Sequence, residues 1–333
     1  MVSKVRGAVF GLAFGDALGY PTEFLPYDAI VRQHGPRGPR ELPSRALVTD
    51  DTQMTLAVAD GLVGALEEPP LSAERLEPLI RKEFLDWWRS PDNNRAPGNT
   101  CMAACASMAA GKPWWEATIA GSKGCGANMR VAPMGIVPGL SDDERAGAAQ
   151  LQAALTHGHP TGLAASELSA FAVRWLLDGM AVAELPEALR QRCLSQRQVY
   201  RGEWLGDHLW RQPMAESPEA FIARGWDECR AALDGLEDAV RYVGPDADPC
   251  AAGGAGWVAE EALATALFCV LVFPDDPVGA IARGAASSGD SDSIASLAGG
   301  FAGAVHGAEA WPAEWFERIE YSDHLDRLAT AWS

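Results

Sequence analysis

Two short stretches concentrate the acids and hydroxyls of this chain. Gly289-Asp290-Ser291-Asp292-Ser293 opens a run of small residues that reads as a helix from Ile294 to His306, and Thr49-Asp50-Asp51-Thr52 opens a second helical run. Asp, Ser and Thr are good helix N-caps, which accounts for one acid per helix. It does not account for two, because carboxylates this close repel unless something positive intervenes. Four acids with adjacent hydroxyls form an oxygen-donor set suited to hard cations such as Mg²⁺ or Mn²⁺. Neither stretch offers the Cys or paired His ligands that zinc prefers. The two clusters lie near opposite ends of the sequence, so only a shared core could unite them.

Other residues carry weaker signals. Gly121 to Ala127 (GSKGCGA) is glycine-rich and is followed by Asn128-Met129-Arg130. A glycine loop ahead of a helix can bind phosphate through backbone N–H groups. This one is neither a Walker loop nor a GxGxxG after a strand, and taken alone a flexible turn is the preferred explanation. His157 and His159 flank Gly158, a spacing that does not share a helix face. Asp16 sits in an otherwise apolar run and needs partners if buried; a cap or anchor for the next turn is the simplest role. The seven cysteines contain no CxxC pair and fit no complete disulfide framework, so a reducing cytoplasm is the simplest setting. Cys101 and Cys105, four apart in an Ala-rich run, read as buried packing.

The elements that must position these residues are helical. Val5 to Leu18 reads as a helix with Gly7, Gly11, Gly15 and Gly19 recurring every fourth residue, a spacing that lets a neighbouring helix approach closely. Leu25 to Leu47, rich in Pro, Gly and Arg, reads as a loop. Helical periodicity follows through about Leu66, then from Leu76 to Trp88 with Pro78 in the first turn. Further helices are expected over Asp142 to Leu155, Leu163 to Met180, Leu185 to Val199 and Trp257 to Phe273, with one or two short ones between Trp311 and Trp332. No β alternation is visible, so the expected fold is all-α, a single domain over residues 1–333.

The 333 residues are 48% hydrophobic and 22% charged, an ordinary globular mixture. A net charge of -18 argues against a nucleic-acid partner, because an acidic field repels phosphate. No apolar run approaches the roughly 18 residues of a membrane span. Ala8 to Tyr20 lacks the basic leader of a signal peptide and is interrupted by Asp16.

In order, GxxxGLAxGDALGxPxE (Gly7 to Glu23), TDDT (Thr49 to Thr52), GNT (Gly98 to Thr100), GCGANMRVAPMG (Gly124 to Gly135), THGHPTG (Thr156 to Gly162) and GDSDS (Gly289 to Ser293) resemble the ADP-ribosylglycohydrolases. These include the dinitrogenase reductase-activating glycohydrolase and the ADP-ribosylarginine hydrolases. The resemblance implies an orthogonal all-helical fold and a centre of two Mg²⁺ or Mn²⁺ ions. Its ligands would be Thr49, Asp50, Asp51, Asp290, Asp292 and Ser293, with Ser293 in place of a common Thr. Glu23 matches an acid near the metals. Gly124, Cys125, Gly126, Ala127 and Asn128 match a loop around the diphosphate and distal ribose, although Cys125 stands where a polar residue is common. His157 matches a histidine beside the ligand, and Trp257 lies in a segment similar to the adenosine-side loop. The implied partners are an ADP-ribosylated protein and ADP-ribose as product, and a monomer is expected.

That chemistry agrees with the residues. Four acids in one pocket cannot all stay ionised without cations. Metals holding the ribose hydroxyls and activating water would attack the anomeric carbon through an oxocarbenium-like transition state. Glu23, Asp51 or Asp290 could take the water's proton. Arginine leaves as neutral guanidine with little acid help, whereas a serine alkoxide needs a proton donor. The GDALG and TDDT runs resemble the arginine-directed branch more closely. Other linkages, a non-catalytic ADP-ribose binder and a two-metal phosphoesterase are the competing readings.

Overall fold

The computed structural model describes residues 2–212 and 215–333. Helices joined by loops account for the architecture, and among the described residues the only β pairing is three isolated bridges. The helices that position the acids are α1 (Val2–Gly19), α2 (Asp50–Ala65), α3 (Ala73–Arg89), α4 (Asp142–Ala154), α5 (Pro160–Leu177), α6 (Ala259–Val272) and α7 (Ser291–His306). No described helix is long and apolar enough to cross a membrane.

The fourth-residue glycine spacing places Gly7, Gly11, Gly15 and Gly19 on one face of α1, and that face lies on the backbone of α7. A Cβ on Gly15 would sit 2.0 Å from the Ala295 carbonyl oxygen, and one on Gly11 would sit 2.3 Å from the Gly299 oxygen. The arrangement is reciprocal, since a Cβ on Gly303 would fall 2.0 Å from the Gly7 oxygen. Each helical glycine costs about 1 kcal/mol relative to alanine. Close packing offsets this, and α1 is buried from Gly7 to Gly19: Phe14 meets Trp311, Trp315 and Phe316 edge-on, and the Trp311 indole donates to the Gly7 carbonyl at 3.1 Å. The N-terminal helix is therefore clamped between α7 and the C-terminal segment.

Two expectations are corrected. The stretch Leu25 to Leu47 is not all loop, because Tyr27–His34 is helical. Pro26 stands before it and Gly35, at φ 79°, ends it; these are helix punctuation as much as loop residues. Only Ile30 of that helix is buried, so its apolar periodicity was faint. Pro78 falls beyond the first turn of α3, where it removes an intrahelical hydrogen bond to the Glu74 carbonyl. The seven cysteines are all free thiols, and Cys101 and Cys105 are buried as expected.

Candidate functional site

Asp16, near the end of α1, ties the first acid cluster in place. Its carboxylate accepts hydrogen bonds from the Thr49 N–H at 3.0 Å, the Thr49 hydroxyl at 2.9 Å, the Thr52 N–H at 3.0 Å and the Thr52 hydroxyl at 2.6 Å. An anion at the start of α2 also suits the helix dipole. Thr49 is the N-cap and accepts from the Asp51 N–H at 3.3 Å. Asp50 is steadied by the Gly98 N–H at 3.0 Å, while Asp51 keeps one buried carboxylate oxygen with no partner among the described residues. Asp16→Asn would turn one acceptor into a donor facing donors. We expect a loss of about 2 kcal/mol, read as a lower melting temperature. An unchanged melting temperature would mean that α2 holds its own start.

The second cluster is tied to the same helix. Ser291 donates to the Gly19 carbonyl at 2.9 Å. Asp290 occupies the N-cap position of α7, yet its side chain makes no capping bond; its N–H instead donates to the Ala255 carbonyl at 2.8 Å. Capping therefore does not explain Asp290. Glu23, Asp290 and Asp292 each present a carboxylate oxygen within 4.8 Å of the others. A cleft of about 270 Å³ is lined by these three with Asp50, Asp51, Ser293, Gly124, Cys125, Gly126, His157 and Trp257. The acids from the two ends of the sequence thus meet across one helix.

Other expected residues stand back from the cleft. Thr49 is fully buried against Asp16, so its hydroxyl is engaged behind the acids. Ala127 and Asn128 lie outside the lining. The Ala127 carbonyl accepts from Gln152 and Ser166, each at 2.8 Å, and the Asn128 amide donates to the Ala259 carbonyl at 3.2 Å. Nor is the glycine loop a free row of donors. The Cys125 N–H is committed to the Trp257 carbonyl at 3.0 Å, and the Asn128 N–H to the Cys125 carbonyl at 2.6 Å. From Gly124 to Asn128, only the Gly126 N–H lacks an acceptor among the described residues. Sequence reading missed Phe24, which stacks on Trp257 at 5.6 Å and 14° and lines the cleft; Phe24 lies at a positive φ of 65°. It also missed Cys101 and Met129 as lining residues. No spacing rule would have found them.

Burial and mutual repulsion hold protons on these acids. Burial, then Asp292, pushes Asp16 up to about 7 against its hydrogen bonds from Thr52 and Thr49. Burial, then Asp292 and Asp50, pushes Glu23 up to about 9; burial is also the main cause for Asp50, up to about 7. Asp51 and Asp290 are raised well above the usual carboxylate range by burial and Asp292. A carboxyl with a raised folded-state value stabilises the fold fully below its ordinary value near 4, and that contribution is lost as pH climbs through the raised value. With chelator present, the melting temperature should therefore fall between about pH 5 and pH 9. A divalent cation should restore more at the upper end than at the lower. A metal-free melting temperature that rises over this window would contradict the clustering of acids.

Oxygen donors alone, a surplus of negative charge and an unpartnered Asp51 oxygen fit a hard divalent cation. His157 is buried, and burial followed by the Arg130 charge holds it well below its ordinary value, so the ring is neutral. Burial likewise lowers His159 to about 4; its Nδ1 accepts from the Thr161 N–H at 3.2 Å, capping α5.

A family profile described as ADP-ribosylglycohydrolase matches residues 1–332. The uncharacterized protein YegU of Escherichia coli (strain K12) is 28% identical over 344 residues, covering 98% of this chain and 96% of that protein. ADP-ribosylarginine hydrolase Tri1 of Serratia proteamaculans (strain 568) is 26% identical over 342 residues, covering 98% of this chain and 78% of Tri1. A solved structure, an ADP-ribosylglycohydrolase-related protein complex, superposes with a TM-score of 0.68 at 26% identity, covering 99% of this chain and 97% of that one.

Proposed function

Since the chain belongs to the ADP-ribosylglycohydrolase family, we propose that it removes ADP-ribose from modified protein side chains, cleaving the N-glycosidic bond to arginine. The observation that carries this reading is the meeting of Glu23, Asp50, Asp51, Asp290 and Asp292 in one buried cleft with an orphaned Asp51 oxygen. The similarity to a relative named ADP-ribosylarginine hydrolase supports the arginine linkage. In this reading residues 1–333 act as one domain.

Asp50, Asp51, Asp290, Asp292 and Ser293 would hold two Mg²⁺ or Mn²⁺ ions, with Thr49 either joining them or fixing the start of α2. Bound there, such ions supply the charge that grips the distal ribose hydroxyls and acidifies a water. The chain's own groups do the rest. Glu23, once bound cations offset the neighbouring charges and leave it ionised, would accept the water's proton, and Asp51 or Asp290 are the alternatives. The surrounding carboxylates stabilise positive charge developing at the anomeric carbon. Departure of neutral guanidine needs no proton donor on the leaving-group side. Gly126 and His157 face the phosphates, and the Phe24–Trp257 pair offers a flat apolar face for the base.

Two defined peptides, one ADP-ribosylated on arginine and one on serine, test this with Mg²⁺ present or removed by chelator. Metal-dependent release of ADP-ribose from the arginine peptide alone is the expected result. Release from serine alone would overturn the linkage and keep the site. Release from neither would remove the enzymatic reading for both linkages.

A further inference from the structure

Arg130 is fully buried, and none of its hydrogen-bond partners is a carboxylate. Its Nε donates to the Gln152 side-chain oxygen at 2.8 Å, and one terminal nitrogen donates to the Gln152 carbonyl at 2.8 Å and the Thr156 hydroxyl at 2.7 Å. The other terminal nitrogen lies 3.4 Å from the sulfurs of Met54 and Cys101, and the guanidinium rests 4.3 Å over the Phe84 ring. Asp50 is near enough for its charge to favour the guanidinium but makes no hydrogen bond to it; a buried cation so weakly paired is costly, so a neutral residue would serve packing better. The guanidinium can only donate, which fixes the roles along the chain of contacts.

Thr156 accepts from Arg130, and its own hydroxyl proton then needs an acceptor. Among the described residues, the one other hydrogen-bond partner of that hydroxyl is His157 Nδ1, at 2.7 Å. Nδ1 therefore accepts, and the single proton of the neutral ring sits on Nε2. That nitrogen has no partner among the described residues and faces the glycine loop: a Cβ on Gly124 would lie 3.2 Å from it, and one on Gly126 3.3 Å. The Gly126 N–H, which has no acceptor among the described residues, is its neighbour.

We propose that Arg130 and Thr156 are positioning residues that lock His157 as the Nε2–H tautomer, so that the ring and the Gly126 N–H present two donors to an anionic oxygen in the cleft. His157 then binds and does not act as a base, because its only lone pair is spent on Thr156. The opposite tautomer would turn a lone pair toward the cleft and repel a phosphate. The tautomer follows from the hydrogen bonds alone; the ligand's identity rests on the function proposed above.

The test is multiple-bond ¹⁵N–¹H spectroscopy of the full chain labelled at histidine, with ADP-ribose affinity measured beside it. In the wild type, His157 should show Nε2 protonated and Nδ1 bare between about pH 6 and pH 8. Thr156→Val keeps the shape and loses the donor; it should mix the tautomers and weaken ADP-ribose roughly tenfold. Thr156→Ser should restore both. Arg130→Gln removes the cation and should mix the tautomers as well; if it does not fold, the Thr156 pair carries the test. An Nδ1–H ring in the wild type, or a pure Nε2–H ring and full affinity in Thr156→Val, would overturn the proposal. Wild-type protein that shows the Nε2–H ring but ignores ADP-ribose would uphold the lock and count against the cleft's proposed ligand.

Discussion

Asp290→Asn should abolish hydrolysis and leave the fold intact. The side chain makes no capping bond, and the anchor to Ala255 uses the backbone N–H, which asparagine retains. Asparagine also has nearly the same shape. What it lacks is one negative charge among Glu23, Asp292 and their neighbours. Without metal the Asp290 carboxyl already holds a proton and asparagine is likewise neutral, so the metal-free melting temperature should hold near neutral pH. Loss of one ligand charge should weaken cation binding and lower the turnover rate about a thousandfold or more, given the several kcal/mol such a centre contributes. Calorimetric titration of Mn²⁺ and release of ADP-ribose from the arginine peptide check the two halves separately. Full activity with unchanged metal affinity would sink the assignment. A collapse of the melting temperature would make Asp290 a structural residue.

Gly15→Ala should be among the most destabilising single methyl additions in the chain. The new Cβ would meet the Ala295 carbonyl oxygen at 2.0 Å and its carbon at 2.4 Å, both backbone atoms in the middle of α7. No rotamer change relieves a clash with a backbone. The two helices must separate, and the aromatic cluster on the other side of α1 resists that movement. Overpacking of this kind costs about 3 kcal/mol, against a helix-propensity gain of about 1 kcal/mol for replacing glycine. Any separation also carries Asp16, with the Thr49 and Thr52 it holds, and Gly19 together away from Ser291, which donates to the Gly19 carbonyl. Divalent-ion affinity should therefore fall along with stability. As a control, Gly121→Ala has open space around the new methyl and should change neither. A Gly15→Ala protein as stable as the wild type would show that α1 and α7 can slide.

Much of the site was legible because its signals are local. Crowded acids at two helix starts and a glycine every fourth residue are both visible in the sequence itself. The partners of Asp16 were not, because Thr49 and Thr52 reach it across a loop whose course no periodicity specifies. The Tyr27–His34 helix escaped for a related reason: it buries only Ile30, so the core leaves little pattern on it. Which N–H groups of the glycine-rich loop stay free was not legible: that of Cys125 pairs with the Trp257 carbonyl, far along the chain, and that pairing depends on the tertiary fold.

The Gly11–Gly299 and Gly7–Gly303 approaches carry a further consequence for how this protein can change. At most packed interfaces an intrusive side chain can be forgiven by trimming the one opposite. Here the obstructing atoms that α7 presents are main-chain carbonyls and the facing residues are already glycine, so nothing on α7 is left to trim. Selection for second-site suppressors of a substitution in α1 should return no compensating change at the facing position of α7, only reversions or changes that stabilise the protein elsewhere. The separation of the two acidic clusters is thus written in main chain, where sequence drift can break it but cannot adjust it.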